Sequence, residues 1–286
     1  MNKFVFDSQT DDFLLATLRE DAGEGDITTL STIPQDATAH GRYIAKESGI
    51  LCGIDVCKRV YELLGGGIEF AAHFEDGTEI KKGDVIAEVS GNARILLTGE
   101  RTGLNIMQHL SGIATRTAQA VCAVKGTNAK ITDTRKTTPL MRRLEKYAVR
   151  VGGGYNHRFG LSDGILIKDN HIAAAGGILA AVAAARENAP HTLKIEVETE
   201  SFGQIDEALR AGADIIMLDN MSVSDMAQAV KRIGGAALTE ASGNMGDKSA
   251  EELMAVARTG VDIISIGALT HSVKALDISL KFTLGK

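Results

Sequence analysis

No stretch of this 286-residue chain approaches the ~18 to 20 consecutive apolar residues that a membrane helix needs, so no transmembrane span is expected. Residues 1–21 are punctuated by acids and lack an apolar core, so no secretory leader is read there. Cysteine is scarce: Cys52, Cys57 and Cys122 form an odd number without zinc spacing. Reduced, mostly buried thiols and a cytoplasmic location are the expectation. Positive charge is in deficit, with 31 Lys and Arg against 37 Asp and Glu, which disfavours nucleic acid as a partner. Also missing are a GxSxG elbow, a Walker-type loop and a His/Cys cluster, which argues against a serine hydrolase, a P-loop NTPase and a zinc site.

What is present is enough chain for one large α/β domain and a smaller one, with 44% hydrophobic residues to build the cores. From about Ala129 onward, short apolar runs alternate with helical patterns. The runs are AKITDT (129–134), GILIKDN (164–170), LKIEVET (193–199), ADIIMLDN (213–220), AALTEAS (236–242) and VDIISIG (261–267). The segments between them often open on Ser, a helix N-cap, and close on Gly. Such alternation predicts a parallel sheet covered by helices, preferably closed into a barrel, with a doubly wound open sheet as the alternative.

Polar residues fall at the ends of these runs, where parallel α/β folds build their sites. Arg135 and Lys136 follow the first, Lys168 ends the second, and Glu198 and Asp219 end the third and fourth. Ser242 and Gly267 close the last two. Glu198, Asp219 and Glu240 are evenly spaced by 21 residues (219 − 198 and 240 − 219), one βα period. Equal spacing predicts that the three acids stand at equivalent levels on successive strands. The plainer alternative is a rim of helix caps.

The first hundred residues read differently. Residues 42–66 suggest a strand and then a helix ending in glycines, and residues 73–91 suggest β-hairpins with Gly turns. The Lys81-Lys82-Gly83-Asp84 turn is taken as solvated. Residues 100–113 read as a helix linking the two parts, with Arg101 near its start.

The basic segment is the most informative. Between Arg135 and Arg158 stand seven Lys or Arg against one acid, Glu145. A local cationic cluster in an acidic chain points to capture of a small, highly charged anion. Thr137-Thr138-Pro139 signals a helix start, with Leu140, Leu144 and Val151 on its apolar face and Arg143, Lys146 and Arg150 on a basic one. Gly152-Gly153-Gly154 ends it. Arg135, Lys136, His157, Arg158 and Lys168 make a cationic wall suited to carboxylates or phosphates. Glu198 and Asp219 make an acidic pair suited to a hard cation such as Mg²⁺ or to sugar hydroxyls. The residues by themselves stop at phosphate-dependent chemistry on a small polyanion.

The segment DTRKTTPLMRRLEKYAVRVGGGYNHRFGLSDGILIKDNHI (133–172) resembles the signature of the quinolinate phosphoribosyltransferases. EDAGEGDITT (20–29), ERTGLN (100–105), LSGIAT (110–115), KIEVE (194–198), IIMLDNM (215–221), EASGN (240–244) and IGALTHS (266–272) match the family in order. Asn244 stands where the family often has Gly. The resemblance implies an N-terminal α/β sandwich domain (1–102, rejoined by 274–286) beside an incomplete, TIM-like α/β barrel (103–273). It implies transfer of phosphoribosyl from 5-phosphoribosyl 1-pyrophosphate to quinolinate, with Mg²⁺, giving nicotinate mononucleotide, pyrophosphate and CO₂ for NAD synthesis. It further implies that Arg135, His157, Arg158 and Lys168 hold the quinolinate carboxylates. Arg101 would join them from the neighbouring subunit of a homodimer or larger assembly. Thr134 would touch substrate and Lys136 would lie near the pyrophosphate. Glu198 and Asp219 would face ribose and Mg²⁺, in part through water. Ser242-Gly243-Asn244 and Ile266-Gly267-Ala268 would cradle the 5-phosphate through backbone N–H groups. Three rivals stand beside it: a Schiff-base lyase using Lys168, a non-catalytic phosphosugar binder, and a transferase acting on nicotinate.

Overall fold

Asp7 and Asp26 open the first two helices, α1 (Ser8–Ala22) and α2 (Ile27–Thr32), each side chain accepting a backbone N–H three residues on. They belong to the first of two units in this computed structural model, which describes residues 3–284. That unit comprises the chain up to Arg116, Arg143–Gly152 and the stretch from Val273 onward. Its strand β1 (Thr38–Ala45) alternates exposed and buried residues, as a sheet with one wet face requires. After it come β2 (Gly49–Ile50), α3 (Ile54–Leu63), β3 (Glu69–Ala72), β4 (Glu79–Ile80), β5 (Val85–Asn92) and a 31-residue helix, α4 (Ala93–Ala123). The C-terminal strand, Ile278–Leu284, β1, β5 and β3 form one antiparallel sheet in that order. Tyr43, Tyr61, Leu96 and Met107 are fully buried beneath it.

The first unit departs from the sequence reading in two places. Lys81–Asp84 is a turn, as expected, but β4 and β5 on either side of it are not a hairpin. β4 pairs with β2, and β5 pairs with β1 and β3. The turn is instead fastened to β1, where Gly83 N–H donates to Ala45 O at 2.8 Å. The expected junction between residues 102 and 103 lies inside α4, and the chain leaves this unit after Arg116. Of the two stretches expected to form the N-terminal domain, residues 1, 2, 285 and 286 lie outside the described residues.

The basic helix also belongs here. It begins at Arg142, not at Thr137, giving α5 (Arg142–Val151). Leu140 has φ 64° and is 86% exposed, a left-handed conformation that no helical first turn can include. The Thr137 hydroxyl accepts from Arg142 Nε instead of capping a helix. Its charged residues are not a uniformly solvated face. Arg143 pairs with Asp7 at 2.6 Å, Glu145 is buried against His109 at 2.8 Å, and Lys146 is only 4% exposed. Tyr147 donates to Asp76, which also accepts the Gly53 and Ile54 N–H groups at the start of α3.

The second unit, Thr117–Arg142 and Gly153–Ser272, contains the six apolar runs as six strands. They are β6 (Lys130–Thr132), β7 (Ile165–Ile167), β8 (Ile195–Thr199), β9 (Ile215–Asp219), β10 (Leu238–Ser242) and β11 (Ile263–Ser265). All are parallel, in the order β6-β11-β10-β9-β8-β7. From β7 to β11 each strand pairs with its successor, and then β6, the first, pairs with β11, the last. This order lets the sheet curl round until its first and second strands approach. The result is a barrel with one seam between β6 and β7, where Tyr155 of the connecting segment forms an isolated bridge with Thr132. Side chains agree: Glu196 of β8 and Glu240 of β10, two strands apart, bring carboxylate oxygens within 4.8 Å, whereas a flat sheet holds such strands roughly 10 Å apart.

Helices α6 (Asp169–Ala175), α7 (Ile178–Asn188), α8 (Phe202–Ala211), α9 (Val223–Ile233), α10 (Ala250–Ala257) and α11 (Ala268–His271) fill the connections. Ser201, Ser222 and Ser249 cap α8, α9 and α10 as expected, and Gly212 and Gly234 end α8 and α9 in the left-handed region. The evenly spaced acids, however, do not share a level. Glu198 registers with Met217 and Met217 with Glu240, while Asp219 registers with Ser242. The register offsets are unequal, 217 − 198 = 19 and 240 − 217 = 23, although the acids themselves are 21 apart. Glu198 and Glu240 therefore align by register, and Asp219 stands one pleat nearer the strand ends.

Candidate active site

The strand ends of the barrel surround a cavity of about 640 Å³. Its lining includes Thr134, Arg135, Lys136, His157, Arg158, Lys168, Glu198, Asp219, Ser242, Gly243, Asn244, Gly267 and Ala268. Of the residues singled out from the sequence, only Ile266 and Arg101 are not part of it. Ile266 is buried in the core, and its N–H donates to Thr132 O at 3.0 Å, leaving Gly267 and Ala268 as the neighbouring amides. Arg101 is exposed on α4, in the other unit.

The cationic wall is assembled by the two ends of the β6–β7 connection. Asp133, fully buried at the end of β6, accepts from His157 N–H at 2.9 Å and from Asn156 Nδ2, pinning that segment beside Arg135. Arg158 donates to Gly164 O at 2.9 Å. Burial, and then the neighbouring positive charge of Arg135, lowers the pKa of Arg158 from the usual guanidinium range. Arg135 Nε is itself buried without a hydrogen-bond partner. Two neighbouring guanidiniums with donor capacity to spare can accept an anion such as a carboxylate or phosphate. Lys136 faces Gly267, where an added Cβ would come within 3.1 Å of its Cδ. Its carbonyl accepts from Thr270 Oγ1 at 2.7 Å, which fixes the backbone there.

The acidic side is equally ordered. Lys168 and Glu198, at the ends of adjacent strands, form an ion pair. Asp219 accepts from Asn220 Nδ2 at 2.7 Å. Gly243 has φ 87°, and a Cβ there would strike Asn220 Oδ1 at 2.1 Å, so only glycine lets the chain pass so near. Asn244, where a glycine was the expectation of the resemblance, takes φ 51°, a left-handed conformation that asparagine tolerates best among non-glycine residues.

Lining residues that escaped the sequence reading include Asn220, Asp247, Ser265 and His271. So did the support behind the wall, Asp133, and the inner carboxylate Glu196. The signal for Glu196 was available, since residues two apart on a strand face the same way and Glu198 had already been placed inward.

The Quinolinate phosphoribosyl transferase, C-terminal domain, family matches residues 113–281, and the corresponding N-terminal domain family matches residues 26–111. A probable nicotinate-nucleotide pyrophosphorylase [carboxylating] of Bacillus subtilis is 50% identical over 265 residues, covering 93% of this chain and 90% of that protein. The nicotinate-nucleotide pyrophosphorylase [carboxylating] of Mycobacterium leprae is 46% identical, covering 94% and 95%. The crystal structure of NadC from Streptococcus pyogenes superposes with a TM-score of 0.93 at 45% identity and covers 100% of both chains.

Proposed function

The chain belongs to the quinolinate phosphoribosyl transferase family, and from that premise we propose how its residues divide the reaction. The protein transfers phosphoribosyl from 5-phosphoribosyl 1-pyrophosphate to quinolinate with decarboxylation, giving nicotinate mononucleotide, CO₂ and pyrophosphate in NAD biosynthesis. The observation that carries this reading is one cavity in which Arg135 and Arg158 stand side by side while Glu198 and Asp219 end neighbouring strands.

Arg135, Arg158 and Lys168 hold the two quinolinate carboxylates, orienting the ring nitrogen toward the anomeric carbon. His157 stands behind them, because both its ring nitrogens already have partners within the protein. As pyrophosphate leaves, positive charge grows on the ribose, and Glu198 and Asp219 stabilise it from the strand ends. Lys136 meets the departing pyrophosphate, and the amides around Gly243, Asn244, Gly267 and Ala268 receive the 5-phosphate. The two carboxylates are hard oxygen donors at adjacent strand ends, and Glu198 already bears a cation, the Lys168 ammonium, so the pair fits Mg²⁺ held in part through water. Mg²⁺ would supply charge neutralisation of the pyrophosphate. Once nitrogen is ribosylated, the cationic ring takes up the electron pair left by CO₂, and little more is asked of the protein.

The assembly is a homodimer or larger in which Arg101 enters the neighbouring subunit's site, supported by its exposure on α4. The setting is the cytoplasm. Among the described residues, no helix is long and apolar enough to cross a membrane. A Schiff-base role for Lys168 is disfavoured, since its amine is already engaged by Glu198. Incubation with quinolinate, phosphoribosyl pyrophosphate and Mg²⁺ should release nicotinate mononucleotide and CO₂ in equal amounts. Product from nicotinate, or none from quinolinate, would overturn the reading.

A further inference from the structure

Below the cationic mouth lies a buried cluster that the transfer does not use. His157 Nε2 stands 3.1 Å from Glu196 and 3.6 Å from Glu240. Its Nδ1 accepts the Arg158 backbone N–H at 2.8 Å. An accepting Nδ1 carries a lone pair, so the ring proton sits on Nε2 and points at both carboxyl groups. A metal ion would need that Nε2 lone pair, so the hydrogen bond from Arg158 argues against a His–Glu–Glu metal centre despite the close grouping.

One N–H cannot satisfy two ionised carboxylates whose side chains are 5% and 1% exposed. Each leaves its Oε1 buried with no hydrogen-bond partner. Packed together out of water, two such groups repel, and one retained proton relieves both the repulsion and the desolvation. Glu240 is the one that retains it: burial first, and then the charge of Glu196, push its carboxyl up to about 8. The titratable groups facing it are Glu196 from β8 and His157 from the β6–β7 connection, with Ser265 of β11 as a further polar neighbour. Its registered neighbours, Met217 of β9 and Ile263 of β11, carry no charge. Glu240 also lines the substrate cavity, and on its other side a cavity of about 330 Å³ reaches Thr132, Gly164 and Ile165 at the seam between β6 and β7, a route for proton exchange.

We infer that Glu240 is a specificity residue working as a neutral acid in the floor of the quinolinate site, leaving a single negative charge, on Glu196, beneath Arg135 and Arg158. With the proton in place, the clamp keeps enough positive charge for a dicarboxylate. With it gone, two carboxylates confront two more. The inference rests on quinolinate being the substrate, and turnover of quinolinate by the wild type at pH 7 tests that reading separately.

The decisive comparison is the pH dependence of kcat/KM in the wild type and in Glu240→Gln, which carries an uncharged isostere at every pH. Wild-type kcat/KM for quinolinate should fall about tenfold between pH 7 and pH 9, as expected for one group titrating near 8. The fall should be absent for phosphoribosyl pyrophosphate at saturating quinolinate, and absent for quinolinate in Glu240→Gln. A flat wild-type profile, or the same fall in the variant, would overturn the inference. Calorimetry in buffers of different ionisation heat gives a test that needs no variant. Quinolinate binding to the wild type should take up about one proton at pH 9 and almost none at pH 7. No uptake at pH 9 would equally overturn it.

Discussion

Glu196 and Glu198 stand two residues apart on β8, project into the same barrel, and have different partners. Glu198, 14% exposed at the mouth, pairs with the Lys168 ammonium. Glu196, 5% exposed one pleat below, meets a histidine N–H, a second carboxyl group and the charge of Arg158. The same contrast separates Asp219 from Glu240 on neighbouring strands. Near the strand ends a carboxylate meets cations and can stabilise charge that appears during reaction. Deeper in the barrel, burial and the charge of Glu196 push Glu240 toward its neutral form. Depth, more than residue type, decides what a barrel carboxylate does.

The contrast breaks most visibly through the mouth. Glu198→Gln and Asp219→Asn should each lower kcat by about a hundredfold or more, the scale of losing a preorganised electrostatic group, while quinolinate still binds. Wild-type turnover and Mg²⁺ response in both variants would reduce these acids to rim decoration. Next comes the wall between the two layers. Arg135→Ala or Arg158→Ala should cost roughly 1.5–3 kcal/mol of quinolinate affinity, tens- to hundreds-fold, with phosphoribosyl pyrophosphate binding much less affected. Unchanged calorimetric affinity in both variants would remove them from the clamp.

A smaller effect concerns the completeness of the mouth within one subunit. Co-expressing Arg101→Ala with Lys136→Ala chains should restore about a quarter of wild-type activity, because half of randomly formed dimers would each contain one intact site. Purified mixed dimers without activity would confine Arg101 to its own chain. The smallest effect is on stability and belongs to the floor. Glu240 titrates near 8 when folded against an ordinary 4.5, so its proton stabilises the fold fully below pH 4.5, and that contribution is lost as pH rises to 8. The Tm of the wild type relative to Glu240→Gln should therefore decline from pH 5 to pH 8 and then level off. A constant difference would mean that Glu240 keeps no proton of its own.

Much of this contrast was legible in the sequence, but its depth was not. The apolar runs placed all six strands, and the serines placed three helix starts, because burial and capping are local. The strand-end position of Arg135, Lys168, Glu198 and Asp219 followed from the same pattern. Register did not follow, because loop lengths offset one another and equal spacing of Glu198, Asp219 and Glu240 concealed a step of one pleat. The late start of α5 was hidden for another reason. Thr137-Thr138-Pro139 has helix-opening chemistry, but the Arg142 side chain, five residues on, takes the Thr137 hydroxyl, and Leu140 breaks the first turn with a left-handed backbone. The burial of Glu145 and Lys146 likewise depends on partners such as His109 that no local pattern reveals.

The division between mouth and floor is tested most directly by measuring kcat and the quinolinate KM for Glu198→Gln and Glu240→Gln side by side at pH 7 and pH 9. The expected result is a loss confined to kcat in Glu198→Gln, with its quinolinate KM still rising toward pH 9 as in the wild type. In Glu240→Gln the KM should show no such rise. A lost pH response in Glu198→Gln together with a retained one in Glu240→Gln would contradict the account.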